Sequence, residues 1–237
     1  FHCDLIFGLP GETLEHIQHS FSQVMALKPH ELQLGFLKFL PGAPINSLVQ
    51  ENQYRYQSTP PYELISHKNL SAEEVLYLKQ FEDIFDRYYN SKRFRFSIHY
   101  LLEKLDPVTL FNRLLEYHGS HGLLMNPVSL DEYYRIFRDT FYPTPTLKEL
   151  DLLKLDYLYT QRSFRLPGIL SSKSSPPVKT WKKDRKTPVI PFDHEIEIAG
   201  SQAILKVTAN PVYYAIAHSQ NGEGYFRRPT VNAISDA

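Results

Sequence analysis

The apolar positions change period several times along the chain. Leu5, Ile6 and Phe7 form a short run of strand-favouring residues. Gly8 to Gly11, with Pro10 inside, interrupts it. From Thr13 onward Leu14, Ile17, Phe21, Val24 and Leu27 recur at helical spacing, and Glu12 and Glu15 sit near the first turn, where negative charge suits the helix dipole. A second apolar run, Leu32 to Leu40, follows Pro29. The pattern predicts strand, glycine turn, helix, strand: a βαβ unit over residues 1–44. Ligands of such units gather at the carboxyl ends of the strands. Those ends fall around Asp4 to Glu12 and around Leu37 to Gly42.

Past this unit the periodicity weakens. Residues 42–70 hold Gly42, Pro44, Pro60 and Pro61 among polar residues, and the domain boundary is expected here, with 1–50 before it and 51–70 as a linker or lid. Tyr54 and Tyr56 alternate with polar neighbours, as in a short strand. Ser71-Ala72-Glu73-Glu74 reads as a capping box ahead of an apolar stripe of Val75, Leu78, Phe81, Phe85 and Tyr88. Helical spacing resumes over 98–105 and 108–117, with Pro107 as the break. His118, Gly119, His121 and Gly122 read as a plain turn, since no third metal ligand is near in sequence. Ser129-Leu130-Asp131-Glu132 reads as another capping box that opens a further helix, and Leu147 to Tyr159 is a Leu-rich one. The region 71–237 is therefore expected to be helical to about residue 165. A basic loop over 167–188 follows, then a β element over 189–228 built from three strands, with a disordered tail from Thr230.

Composition narrows the function classes. The 26 basic and 26 acidic residues cancel, so no global field favours nucleic acid or an anionic membrane. Lys179, Lys182, Lys183, Arg185 and Lys186 surround Trp181, but no second basic patch extends them into a nucleic-acid footprint. Sixteen Tyr and fifteen Phe are a high aromatic load, assigned first to the core. One cysteine excludes an intramolecular disulfide and suits a reducing cytosol, so a cytoplasmic location is expected. No apolar run approaches the roughly 20 residues that span a bilayer.

The segment Asp4-Leu5-Ile6-Phe7-Gly8-Leu9-Pro10-Gly11-Glu12-Thr13, its helix, and the strand ending Leu40-Pro41-Gly42-Ala43-Pro44 resemble the fifth and sixth strands of the partial TIM-like barrel of radical S-adenosylmethionine (SAM) enzymes. Leu32-Gln33-Leu34-Gly35-Phe36-Leu37-Lys38, Pro60-Pro61-Tyr62-Glu63 and Tyr88-Tyr89-Asn90-Ser91 resemble the cobalamin-binding type, whose barrel is followed by a carboxyl-terminal domain of unknown function. The resemblance implies an α/β barrel end followed by a mainly α-helical appended domain with a small terminal β element. It implies SAM and a 4Fe–4S cluster as cofactors of the parent enzyme, and cobalamin as a further one. The partners it implies are SAM and a substrate that the sequence does not identify.

The resemblance also nominates residues. Asp4 matches an acid near the SAM ribose, Gly8 and Gly11 a turn where backbone meets ligand, and Leu37 and Lys38 the strand edge near adenine. Glu12 falls one place from the family's acidic position. The plain alternatives are that Asp4 caps or salt-bridges a strand end and that both glycines serve the turn. A cluster needs three cysteine thiolates in a Cys-x-x-x-Cys-x-x-Cys loop, and this chain has Cys3 alone. The expectation is a carboxyl-terminal piece of a longer enzyme, inactive by itself, that supplies SAM-facing strand ends and a substrate-selecting domain. The competing expectation is a non-catalytic interaction module whose aromatic-rich helices dock a partner.

Overall fold

The computed structural model describes residues 1–160, 166–170, 179–181, 188–199, 202–218, 224–227 and 234–235. Contacts divide the chain into two compact units: Phe1–Ser91 with Leu105–Leu124, and Lys92–Lys104 with Met125–Ala237. The chain therefore passes between the units three times. Residues 51–70 lie inside the first unit, and the contacts part at Ser91.

The first unit begins as the periodicity predicts. Strand β1 (His2–Phe7) leads through the glycine turn into helix α1 (Leu14–Ala26), and β2 (Glu31–Phe36) returns parallel to β1. Thr13 caps α1, its side chain accepting from His16 N. The second strand ends at Phe36, four residues before the apolar run does, because the Leu37 carbonyl and the backbone beyond it turn to a different partner. That partner is the hairpin β3 (Arg55–Tyr56) and β4 (Leu64–Ser66). Leu37 O accepts from Leu64 N at 2.9 Å, and Phe39 N donates to Tyr62 O at 2.8 Å. The stretch expected as a linker or lid is thus a folded hairpin, hydrogen-bonded to the end of β2.

Helix α2 (Ala72–Phe85) carries the full capping box: Ser71 accepts from Glu74 N, and the Glu74 carboxylate accepts from Ser71 N at 2.7 Å. Ser71→Ala removes one side of this exchange and is expected to lower stability by about 1 kcal/mol in urea unfolding. An unchanged midpoint would mean that tertiary packing alone sets the start of α2.

The buried face of α2 meets α1 and α4 (Pro107–Ser120) around Phe21, Phe81, Phe85 and Phe111, whose rings lie 4.9–6.2 Å apart, most nearly perpendicular. Pro107, read from the sequence as a break, occupies the first turn of α4, where its missing N–H leaves no bond unmade. Asp106 caps that turn through Thr109 N at 3.0 Å. His118, assigned from the sequence to a plain loop, is instead fully buried in the last turn of α4. Its Nε2 lies 2.9 Å from the Tyr88 hydroxyl.

After α2 one turn widens to π geometry, Asp86–Asn90. It places Asn90 beside β2. The Asn90 amide accepts from Leu32 N at 3.2 Å and donates to Leu32 O at 2.9 Å, as a neighbouring strand would. This edge of β2 is thereby occupied.

The second unit contains α3 (Arg95–Leu102), α5 (Leu130–Phe141), α6 (Leu147–Thr160) and an antiparallel sheet. Its strands are β5 (Lys179–Trp181), β6 (Pro188–Ala199), β7 (Gln202–His218), β8 (Gly224–Arg227) and β9 (Ile234–Ser235), in the order β8-β7-β6-β5-β9. Ser129 caps α5 through Glu132 N, while the Glu132 carboxylate pairs with Arg135 at 2.9 Å.

Two strands expected on either side of Asn210-Pro211 are one strand, β7. The turn signal is absorbed by a bulge. Val212 pairs with Phe192 and Val207 with His194, so residues 208–211 stand opposite Asp193. A bulge tolerates a proline because the residue there need not donate to the ladder. Ile234–Ser235, within the tail expected to be disordered, pair with Trp181 and Thr180. The Ser171–Pro177 linker, most of the basic cluster and the Asn221-Gly222 turn lie outside the described residues. The whole is a mixed α/β fold, and no closed barrel forms among the described residues.

Candidate functional site

In β1 and β2, Asp4 stands opposite Gln33, Ile6 opposite Gly35 and Phe7 opposite Phe36. Side chains alternate between the faces of a sheet. Leu32, Leu34, Phe36 and Phe7 are buried on the α1 side, where Phe7 meets Ile17 and Phe21 around a small apolar gap. Asp4, Ile6 and Gln33 share the opposite face. Ile6 is 52% exposed, and nothing among the described residues covers that face. Parallel strands are ordinarily covered on both faces.

Asp4 lies in mid-strand with its side chain 63% exposed, and its carboxylate accepts from His2 Nε2 at 2.7 Å. The turn beyond β1 is closed on itself. Gly8, at φ +91°, and Gly11, at φ +79°, adopt left-handed conformations. Glu12 Oε2 accepts from Gly8 N at 2.7 Å and from Leu9 N at 3.1 Å. Successive backbone N–H groups of this kind form an anion-binding nest, and here the chain's own carboxylate fills it. Gly8 O accepts from the Tyr54 hydroxyl at 3.0 Å. A Cβ on Gly8 would lie 2.0 Å from Leu64 Cδ2, whereas one on Gly11 would meet nothing within 4 Å. Of the two glycines, Gly8 is held by packing and Gly11 borders open space.

Leu37 N donates to Phe7 O at 3.0 Å and its carbonyl accepts from Leu64, so both backbone groups are engaged. Lys38 bridges to Glu63 through the backbone, with an exposed side chain. Gly8, Glu12 and Leu37 are therefore brought together at the strand ends. Asp4 sits a few residues back on the uncovered face, and Gly11 and Lys38 lie at the rim.

Sequence reasoning missed Tyr54, Leu64 and His67. Tyr54 is 5% exposed, and its ring packs on Phe39 and His67. Burial first, and the Glu12 carboxylate second, push its hydroxyl up to about 12, so it serves as a donor at neutral pH. Burial and Lys68 push His67 down, against an opposing pull from Glu74, which keeps the imidazole neutral at pH 7. Its Nδ1 accepts from Asn69 N at 3.2 Å, so the ring proton sits on Nε2. That buried N–H has no acceptor among the described residues. The available signal was Tyr54-Arg55-Tyr56 itself, read as a short strand, but nothing in it says that Tyr54 turns inward against Gly8 while Tyr56 stays exposed.

The fold and site define an α/β strand-end unit joined to a mixed helical and antiparallel unit. Residues 50–208, about two thirds of the chain, match the family described as "Protein of unknown function (DUF4080)", and the chain belongs to that family. The match begins shortly before β3 and runs through both contact units, so the family region and the contact units do not coincide. No curated protein matches the chain. No helix among the described residues is long and apolar enough to cross a membrane.

Proposed function

We propose that this DUF4080 chain works within a radical SAM enzyme of the cobalamin-binding type, with β1 and β2 as the last two strands of its barrel. The supporting observation is the β1–β2 sheet itself: parallel, covered by α1 on one side and open on the other. Asn90 occupies the free edge of β2, while among the described residues β1 has no strand on its other side. A sheet that ends at β2 and continues beyond β1 suits the resemblance of Asp4–Thr13 and the strand after it to the late barrel strands of that class.

The residues fit the two implied groups differently. Cys3 alone cannot hold an iron–sulfur cluster, so cluster chemistry would come from elsewhere in such an enzyme. SAM fits one position well. Asp4 offers an exposed carboxylate on the face that would point into a barrel, able to accept from paired ribose hydroxyls. Glu12 and the Leu37 backbone are engaged within the chain and would act by holding the turn in shape. The appended unit would select the substrate.

In the enzyme carrying the cluster loop, Asp4→Asn is expected to weaken SAM binding by roughly 10- to 100-fold, the worth of a charge-assisted hydrogen bond at about 1.5–3 kcal/mol. Calorimetric titration of SAM into both proteins, beside a thermal melt of each, measures it. Unchanged SAM affinity with a lowered melting point would leave Asp4 as a partner of His2 and remove the SAM contact from this strand.

A further inference from the structure

Between α1 and the start of α4, within the first unit, lies an open cleft of about 540 Å³. That volume is in the range of small-molecule sites. One wall is a polar stripe on α1, where Glu15, Gln18, His19 and Ser22 recur at helical spacing beside His16. The facing wall is the cap and first turn of α4, with Asp106, Val108 and Thr109. Hydrogen bonds hold the two walls in place. Ser22 Oγ donates to Asp106 Oδ1 at 3.1 Å. Gln18 Nε2 donates to the Tyr77 hydroxyl at 3.3 Å, and that hydroxyl donates to Asn112 Oδ1 at 2.9 Å, so α2 ties α1 to α4 as well. Gln18 and Val108 also line the small apolar gap where Phe7, Ile17 and Phe21 meet, so the cleft adjoins apolar ground.

The hydrogen-bonding capacity left over at the two ends of this cleft is that of an acceptor. Glu15 is exposed, and its carboxylate makes no hydrogen bond or ion pair with a described residue. Asp106 receives one neutral donor on each oxygen, from Ser22 and from Thr109 N. A carboxylate offers about four lone-pair sites, so each Asp106 oxygen keeps one. No Lys or Arg lines the cleft. The helix dipole explains why acids stand at the starts of α1 and α4, but it supplies no donor to the Glu15 oxygens. Seven residues of helix, about 10 Å of rise, separate Glu15 from the Ser22 that holds Asp106. The two carboxylates therefore mark opposite ends, with Val108 between the walls. Among the described residues no three His, Cys, Asp or Glu side chains are arranged to hold a metal ion, so an organic cation suits these acceptors better.

We propose that this cleft binds a short linear aliphatic diamine. One ammonium group donates to Glu15, the other donates to Asp106, and the methylenes lie along Val108. Ser22 and Thr109 position Asp106, and Gln18 fixes the wall through Tyr77. The site is independent of the SAM reading, since it uses none of the strand-end residues.

The test is ¹H–¹⁵N NMR on the ¹⁵N-labelled chain at constant ionic strength. Titration with 1,5-diaminopentane should shift the Gln18, Ser22 and Thr109 signals saturably. Pentan-1-amine lacks the second charge and 1,2-diaminoethane lacks the reach, so both should bind more weakly. An exposed carboxylate–ammonium pair is worth up to about fivefold in affinity. A loss of about that size is expected for pentan-1-amine on the wild-type chain, and for the diamine on Glu15→Gln and on Asp106→Asn. Both variants keep the size of the side chain, and asparagine still caps a helix. In Asp106→Asn the advantage of the diamine over pentan-1-amine should disappear. Shifts that rise without saturating overturn the proposal, as do equal affinities for diamine and monoamine, or variants that bind the diamine like wild type. Saturable shifts of the same signals by zinc chloride, with none by the diamine, would overturn it in favour of a metal site.

Discussion

Gly8→Ala is expected to destabilise the chain by about 2–4 kcal/mol, combining left-handed backbone strain with overpacking. The new methyl would sit 2.0 Å from Leu64 Cδ2, and Leu64 is only 1% exposed, so it has little room to withdraw. The backbone has no easy escape either. Gly8 N is bound to Glu12 and Gly8 O to Tyr54. Gly11→Ala supplies the contrast: its φ is also positive but its surroundings are open, so about 1 kcal/mol is expected. Urea unfolding of the two variants separates these costs. In a Leu64→Ala background the Gly8 substitution should cost distinctly less, because neighbouring changes couple. Equal costs for Gly8→Ala and Gly11→Ala would show that conformation alone, without the Leu64 contact, explains the glycine at position 8.

The second large effect belongs to Asp156. It is fully buried, and its two carboxylate oxygens accept from Phe96 N at 2.7 Å and Ser97 N at 3.0 Å. Helix α3 has no side-chain cap of its own, and Asp156 takes that role from 60 residues away. Burial pushes this carboxyl from its ordinary 3.8 up to about 7, against the pull of the Ser97 and Phe96 hydrogen bonds. The folded chain therefore holds a proton that the unfolded chain has released between these values. Stability from this group is fully present below pH 3.8 and is lost as pH rises through about 7. A shift of roughly three units at 1.36 kcal/mol each is about 4 kcal/mol. The stability of wild type relative to Asp156→Asn should fall by that order between pH 4 and pH 8 in denaturant unfolding. A difference that stays flat across the range would mean that the hydrogen bonds to α3 outweigh burial and keep Asp156 ionised throughout.

Much of the local structure was legible in the residues. The βαβ unit could be read because its signals are local: an apolar triplet, a Gly-Leu-Pro-Gly break, then apolar residues at helical spacing. The Ser71–Glu74 capping box was legible for the same reason, since both partners lie within four residues. The strand ends nominated as candidate positions were legible in outline, because carboxyl ends of parallel strands follow from strand direction alone. What each position does was not. Glu12 was expected to face a ligand, and it fills the nest of its own turn. Leu37 was expected to offer its backbone, and Phe7 and Leu64 have taken it.

The sequence by itself determined the period of each segment, and with it the strands, helices and caps whose partners are near neighbours in the chain. The tertiary structure decided everything that depends on partners far apart. It brought Tyr54 and Leu64 onto Gly8, set Asn90 against the edge of β2, and joined two expected strands through a bulge at Asn210-Pro211. It also buried Asp151, Lys154 and Asp156 in a helix enclosed on all sides, where such groups persist only because donors and acceptors meet them, most of these from distant segments. Periodicity records which face of an element is apolar. It carries no record of what that face meets, because the meeting depends on side chains from remote segments and on the geometry that brings them within hydrogen-bonding distance.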